Sequence, residues 1–248
     1  MWNHSYLVEV IIVELSHAEL AALQLASERG QITPDQAIAL TLAQCAADGL
    51  FWLRHVLTRD ESDPLQSTKP FPLQTEYVRE LWAILRDSQR VVIAKSRQMF
   101  VSWEVAAFVL WTARFKANQA IYWQAQQWDE AVEKVCMPTG GYMGRCQFME
   151  ANLPVWMRQD IKASEGRLQF PNGSMIQALA GGADKLRGKT PSIYVGDEFA
   201  HMEDQEGVYL SVAPVVQKGA KAFFVSTPNG TSNQFATLYH GRPVGVEA

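Results

Sequence analysis

The chain has 248 residues, 48% of them apolar, enough for one sizeable α/β core with an appendage. Its net charge of −4 excludes a general polyanion binder, so any DNA contact has to be local or supplied by other subunits. Cys45, Cys136 and Cys146 show no CxxC spacing, which argues for a reducing compartment and against a zinc site.

Leu7 to Leu15 is apolar but interrupted by Glu9 and Glu14. It is too short to span a bilayer, has no basic leader, and fits a strand or the first turns of a helix alike. Ser16 and Glu19 have capping-box spacing ahead of Leu20, Leu23 and Leu25. Thr33-Pro34-Asp35-Gln36 is a clearer helix start, with an N-cap, proline at the first helical position and glutamine at N3. Ile38, Leu42 and Cys45 keep helical spacing, Gly49 offers a stop, and Leu50 to Leu57 reads as another helix. His55 has no second His or Cys at metal spacing, so it reads as a helix surface residue. Asp60 to Pro72 is polar and proline-bearing, and reads as a linker. This predicts a helical appendage and linker over residues 1–68 and a main domain over 69–248.

Phe71 to Leu85 leads into a helix, with Tyr77, Leu81 and Leu85 on one face. Val91 to Ala94 is a short buried strand. A polar turn follows, Lys95-Ser96-Arg97-Gln98, and then Val101 to Phe115, an apolar run of helical length. A strand, a basic turn and a helix N-terminus together frame a phosphate site, because the helix end offers N–H groups and the positive end of its dipole. Lys95 and Arg97 add full charges, and Ser102 is placed to offer a hydroxyl to Mg²⁺. The standard GxxxxGK[ST] loop is absent: Phe100 and Val101 stand where its glycine and lysine would be. The same residues also fit a capped core helix after a strand.

Ala120 to Trp123 is the next strand, Trp128 to Val135 a helix, and Pro138 to Gly144 a glycine-rich loop. Arg167 to Phe170 and Met175 to Ala180 flank Pro171-Asn172-Gly173-Ser174, which predicts a hairpin turning on Asn-Gly. Lys185, Arg187 and Lys189 lie in a basic loop, either a solvated face or phosphate contacts. Ser192 to Asp197 is a second buried strand ending in Asp197-Glu198, a Walker B pattern. An acidic residue at such a strand end holds Mg²⁺ through its water, and the second carboxylate orients the attacking water. A helix N-cap is the plain alternative. His201 to Glu206 is acidic and reads as the start of a surface helix, which Val208 to Val216 continues or leads on from. Ala222 to Ser226 is a third strand, stopped by Pro228 and Gly230, leaving Ser226, Thr227 and Asn229 at its tip. In an open parallel sheet, ligands bind beyond the C-terminal strand ends, where all three polar clusters would meet.

Taken together, these motifs resemble the large terminase subunit of tailed phages, the motor that packages DNA into a procapsid. AKSRQM with Ser102 resembles its Walker A segment, IYVGDE its Walker B, and VSTPNG its coupling motif. The likeness runs from about Phe71 to Gly241, and it departs from the usual pattern at Phe100 and Val101. Part of that family has a deviant Walker A with the lysine at the loop start, where Lys95 stands here. The resemblance implies an additional-strand, RecA-like P-loop fold, with Ala222–Ser226 between Val91–Ala94 and Ile193–Asp197. It implies ATP and Mg²⁺ as cofactors, and nucleotide contacts from Gln74 (to the adenine edge) and from Lys95, Ser96, Arg97, Gln98, Met99, Phe100, Val101, Ser102 and Trp103. Ser102 and Asp197 would hold the metal. Glu198 would orient the water, Arg97 would sense the γ-phosphate, and Arg187 would reach a neighbouring subunit's ATP. Ser226, Thr227 and Asn229 would relay the nucleotide state. The implied partners are double-stranded DNA, the portal ring, the small terminase subunit and further copies in a pentamer-like ring, in the host bacterial cytoplasm and without a membrane. The nuclease domain that usually follows in this family is not expected within these residues. The competing readings are a degenerate nucleotide-binding scaffold without turnover, and a helicase-like ATPase.

Overall fold

The computed structural model describes residues 22, 25–59, 68–96, 99–137 and 143–241. The features expected at Leu7–Leu15 and Ser16–Glu19, most of the Asp60–Pro72 linker, Arg97 and Gln98, and most of the glycine-rich loop lie outside them. Among the described residues, no helix is long and apolar enough to cross a membrane.

Thr33 caps helix α1 (Pro34–Ala47) through the reciprocal capping box read from its sequence. Asp48 then closes α1 and caps α2 (Gly49–Leu53), its carboxylate accepting the Leu50 N–H at 2.9 Å. Gly49 thus opens a helix as well as following one. The expected Leu50–Leu57 helix stops at Leu53, because Leu57–Thr58 (β1) pairs antiparallel with Lys69–Pro70 (β2), a partner that local periodicity does not reveal. Helix α3 (Glu76–Asp87) buries Val78, Trp82 and Leu85, so its inner face is centred one residue away from the expected Tyr77–Leu81–Leu85 stripe.

The main sheet has seven strands: β3 (Arg90–Ala94), β4 (Ala120–Gln124), β5 (Lys162–Ser164), β6 (Arg167–Gln169), β7 (Met175–Leu179), β8 (Ile193–Asp197) and β9 (Lys221–Ser226). Their order is β3-β9-β8-β4-β7-β6-β5. The first five are parallel, and β6 and β5 extend the sheet antiparallel. β9 therefore lies between β3 and β8, as expected. Helices α4 (Val101–Phe115), α5 (Trp128–Val135) and α6 (Arg145–Ala151) cover one face, packing on Ile121, Trp123, Ile193 and Val195. The other face holds Tyr194, Phe199 and Phe224 against Val208 and Val212 of α7 (Gln205–Gln217) and Phe235 of α8 (Gln234–Tyr239). Strands buried on both sides read as continuous apolar runs, which is why they are legible in the sequence.

Two local expectations are corrected. The hairpin between β6 and β7 turns on three residues, Pro171-Asn172-Gly173, closed by Phe170 N–H to Ser174 O at 2.9 Å. A two-residue Asn-Gly turn of type I′ needs positive φ at both residues, and of this pair only Gly173 has it, at φ 82°. Asn172 instead donates to the carbonyls of Ala113, Arg114 and Lys116 at the end of α4. The acidic stretch His201–Glu206 is not a helix start throughout: a short 3₁₀ turn, Phe199–His201, precedes it, and α7 begins at Gln205 under an Asp204 cap.

The described part of the expected appendage does not stand apart. Cys45, Trp52, Leu53 and Val56 belong to the same core as α3 and α4. Trp111 of α4 donates its indole N–H to Cys45 O at 2.8 Å. A Cβ at Gly49 would overlap the buried Trp82 ring. Gly49→Ala is therefore expected to destabilise the whole domain by about 1–3 kcal/mol, the scale of an overpacked core. Denaturant unfolding followed at the tryptophans should show one shifted transition. A wild-type midpoint would mean that α2 does not dock as described.

Candidate functional site

The site lies at the C-terminal tips of β3, β9 and β8. Side chains alternate along a strand, so Val91, Ile93 and Lys95 share a face, as do Ile193, Val195 and Asp197. Val91, Ile93, Ile193 and Val195 all pack in the core with α4. Lys95 and Asp197 thus project on the side of the sheet where α4 begins. Lys95 N–H bonds to Ser226 O at 2.9 Å, joining the tips of β3 and β9.

Glu198 is the hub. One carboxylate oxygen accepts from Lys95 Nζ at 2.6 Å. The other accepts from the Thr227 N–H and hydroxyl, both at 3.0 Å, with Ser226 Oγ 3.4 Å away. Ser226 Oγ also accepts the Ala200 N–H at 3.0 Å and donates to Thr227 O at 2.8 Å. Asn229 donates to Ala200 O at 3.1 Å, and His201 Nε2 lies 3.0 Å from Thr227 Oγ1. The polar tips of β8 and β9 are thereby one hydrogen-bonded unit. Burial pushes the Glu198 carboxyl up, but Lys95 and Thr227 outweigh it and hold the group below its ordinary range. Asp197 is 3% exposed, and burial raises its carboxyl although Lys134, Lys95 and Arg145 pull the other way.

Two non-glycine residues here hold left-handed backbone, Phe100 at φ 62° and Glu198 at φ 46°. Such a conformation costs about 1–2 kcal/mol for a residue with a Cβ. Phe100 is the N-cap of α4 and stands where the usual loop has glycine. The left-handed turn is kept without the glycine because the surroundings hold it. The Phe100 ring meets Phe71 edge-on at 5.0 Å and stacks with Trp103 at 6.3 Å, and Tyr77 Oη donates to Met99 O at 2.9 Å. Strain of this kind concentrates at functional sites.

The other expected contacts divide. Ser96 follows Lys95 in the turn, and Ser102 sits half-buried in the first turn of α4. Val101 and Trp103 are 6% and 5% exposed and turn their side chains into the core, which leaves their backbone as the part that faces the loop. The Trp103 N–H is also taken, by Phe100 O at 3.0 Å. The N–H groups of Val101 and Ser102 have no acceptor within the helix and face its open end. Gln74 is exposed and lines a cleft of about 520 Å³ with Lys69, Phe71, Tyr77 and Phe100. Arg187 is exposed at the end of a 3₁₀ turn, Ala183–Leu186, and among the described residues no hydrogen bond or ion pair joins it to Glu198. Its neighbours are spent otherwise, Lys185 on Asp184 at 3.0 Å and Lys189 over the Tyr122 ring.

Two cations near Asp197 are not legible in the sequence. Lys134 of α5 places Nζ 3.9 Å from Asp197 Oδ2 with its side chain 12% exposed. Arg145 opens α6, with its guanidinium over the Trp103 ring. Neither sits in a motif, and only the helical spacing of buried Ala131, Val132 and Val135 in α5 places Lys134 beside the face turned to the sheet.

A parallel sheet in this order, with a helix rising from the β3 tip and an Asp-Glu pair two strands away, defines a RecA-like P-loop fold. No family model matches the sequence. Among solved structures, the chain is similar to the HK97 bacteriophage large terminase (TM-score 0.56, 12% identity, 80% of this chain and 44% of that one). It is similar also to a large terminase from a thermophilic bacteriophage, solved in complex with ADP (TM-score 0.53, 15% identity, 68% of this chain and 42% of that one). The Thermus phage P74-26 large terminase ATPase domain aligns at a TM-score of 0.45 and 18% identity, over 62% of this chain and 66% of that one. The chain thus shares its fold with part of the HK97 large terminase and of the ADP-bound terminase, and spans less than half the length of each.

Proposed function

We propose that this chain binds and hydrolyses ATP as the ATPase part of a terminase large subunit, driving double-stranded DNA into a procapsid. The observation that carries the reading is the Lys95–Glu198–Thr227 chain of hydrogen bonds, which ties together the tips of three adjacent parallel strands. The same residue types in the same order form the motifs that resemble terminases. The residues also fit the metal. Buried Asp197 at the tip of β8 offers the one carboxylate that Mg²⁺ takes beside substrate phosphates. Asp197 and Ser102 would hold it, and when bound it would screen charge on the phosphate oxygens.

The chain's own groups supply the rest. The N–H groups at the start of α4 and the Lys95 ammonium receive phosphate oxygens. Glu198, kept ionised, accepts a proton or hydrogen bond from the attacking water once Lys95 turns to the nucleotide. Thr227 and Ser226 share the carboxylate, so a change at Glu198 reaches Ala200 and Asn229 through direct hydrogen bonds. Gln74 and the cleft beside Phe100 are positioned for the base. Arg97 is assigned to the γ-phosphate by resemblance. The DNA, the portal ring, the small subunit and the pentamer-like ring belong to this reading too, as does the host cytoplasm.

Lys95→Ala is expected to weaken ATP binding by at least ~10-fold, the scale for losing a charged hydrogen bond. Calorimetric titration reads it directly, and unchanged affinity would reduce the turn to a helix cap. The function as a whole is tested by steady-state hydrolysis of ATP by the assembled protein, with and without double-stranded DNA. Turnover raised by DNA supports the motor. Nucleotide binding without turnover in the assembled ring would favour the scaffold reading, to which the strained Phe100 and the apolar Val101 point.

A further inference from the structure

The usual phosphate loop brings a lysine to the first turn of its helix. Here Val101 occupies that turn and is buried in the core. Lys95 replaces the charge, but its ammonium is already engaged by Glu198 at 2.6 Å. A triphosphate arriving at this helix end meets no lysine in the first turn of α4, and a Lys95 that must first leave Glu198.

The opposite wall carries a further cation. Helix α5 packs on β4 and β7 and approaches Asp197 from the β4 side of the site. Lys134 stands near its C-terminal end with its stem covered and its ammonium 3.9 Å from Asp197 Oδ2. That spacing is an ion-pair distance but too long for a hydrogen bond. The described residues give this ammonium one hydrogen bond, to the exposed Glu133 at 3.3 Å. An ammonium has three donors, so Lys134 brings an incompletely used cation to the rim of the site. Asp197 and Glu133 balance the charge of this largely buried ammonium but do not use all its donors, so a further anion beside it would be hydrogen-bonded at little cost.

We propose that Lys134 is a second phosphate-binding lysine, donating to the terminal phosphoryl group of the bound nucleotide from the side opposite Lys95. The inference rests on the nucleotide site proposed above. Lys134 approaches across Asp197, where the γ end of a nucleotide lying against α4 would face, so its contact discriminates a triphosphate from a diphosphate. A purely structural role, neutralising Asp197, would make no such distinction.

The test is titration of the full chain with ATPγS and with ADP, each with Mg²⁺ and with EDTA, for wild type, Lys134→Ala, Lys134→Met and Lys134→Arg. Lys134→Ala should weaken ATPγS by about 10-fold or more, the scale for one charge-assisted hydrogen bond, and ADP by less than about 2-fold. The difference should persist in EDTA, and Lys134→Arg should recover most of it. Equal losses for both nucleotides, a loss seen only with Mg²⁺, or no loss would overturn the proposal. Lys134→Met keeps the covered stem and carries the comparison if the alanine variant unfolds. Collapse of both assigns the side chain to the fold and also overturns it. The two claims fail differently: a wild-type chain that binds neither nucleotide refutes the site itself, whereas wild-type binding with an unaltered Lys134→Ala refutes only this role.

Discussion

Glu198→Gln should lower ATP hydrolysis by at least ~10²-fold, the scale for losing a group that accepts a proton in the transition state. The glutamine keeps the volume and can still accept from Thr227 through its amide oxygen. It loses the charge that Lys95 and Thr227 stabilise and that the attacking water needs. ATP affinity should survive, because Lys95 is freed from its 2.6 Å partner and turns fully to the phosphates. Asp197→Ala should behave in the opposite way, weakening Mg²⁺-ATP binding. Single-turnover kinetics separate the two effects. A Glu198→Gln chain with the wild-type rate would move the base elsewhere.

Arg187→Ala should leave ATP binding by the isolated chain intact and reduce turnover in the assembled ring by ~10³-fold or more, the range for an arginine supplied across a subunit boundary. A guanidinium presents a fixed fork to phosphate oxygens, and a contact made mainly in the transition state costs little in ground-state binding. Arg187 is exposed, as an arginine acting on a neighbour must be. Mixed rings of Arg187→Ala and Glu198→Gln subunits should regain activity, since each keeps the half that the other lacks. If the mixture stays inactive while each variant still assembles with wild type, Arg187 is a solvated loop residue or a DNA contact.

The parallel sheet was readable because its strands are buried on both faces, so Val91–Ala94, Ala120–Trp123, Ile193–Asp197 and Ala222–Ser226 stand out as short apolar runs between breakers. The candidate site is legible where polar residues sit directly at a strand end, as with Lys95, Asp197, Glu198, Ser226 and Thr227, which the structure brings together. What stayed hidden depends on contacts between distant segments. Leu57 continues a helical pattern but pairs with Pro70. Cys45 and Trp52 look like appendage residues but fill the core around Trp111. Lys134 reads as an ordinary helix charge until the packing of α5 on β4 brings it to Asp197. Phe100 shows the limit most clearly. The sequence marks a missing glycine, but only the three-dimensional setting shows that Phe71, Trp103 and Tyr77 preserve the left-handed turn without it.

The most direct measurement is a crystal structure of the chain with Mg²⁺, ADP and beryllium fluoride. The fluoride is expected at the start of α4, between Lys95 and the Asp197-Glu198 pair, with the adenine in the cleft lined by Gln74 and Phe100. The opposite end of the sheet has a separate cavity of about 390 Å³, lined by Lys116, Lys218 and Lys221. Nucleotide bound there, or anywhere away from the tips of β3, β9 and β8, would contradict the account.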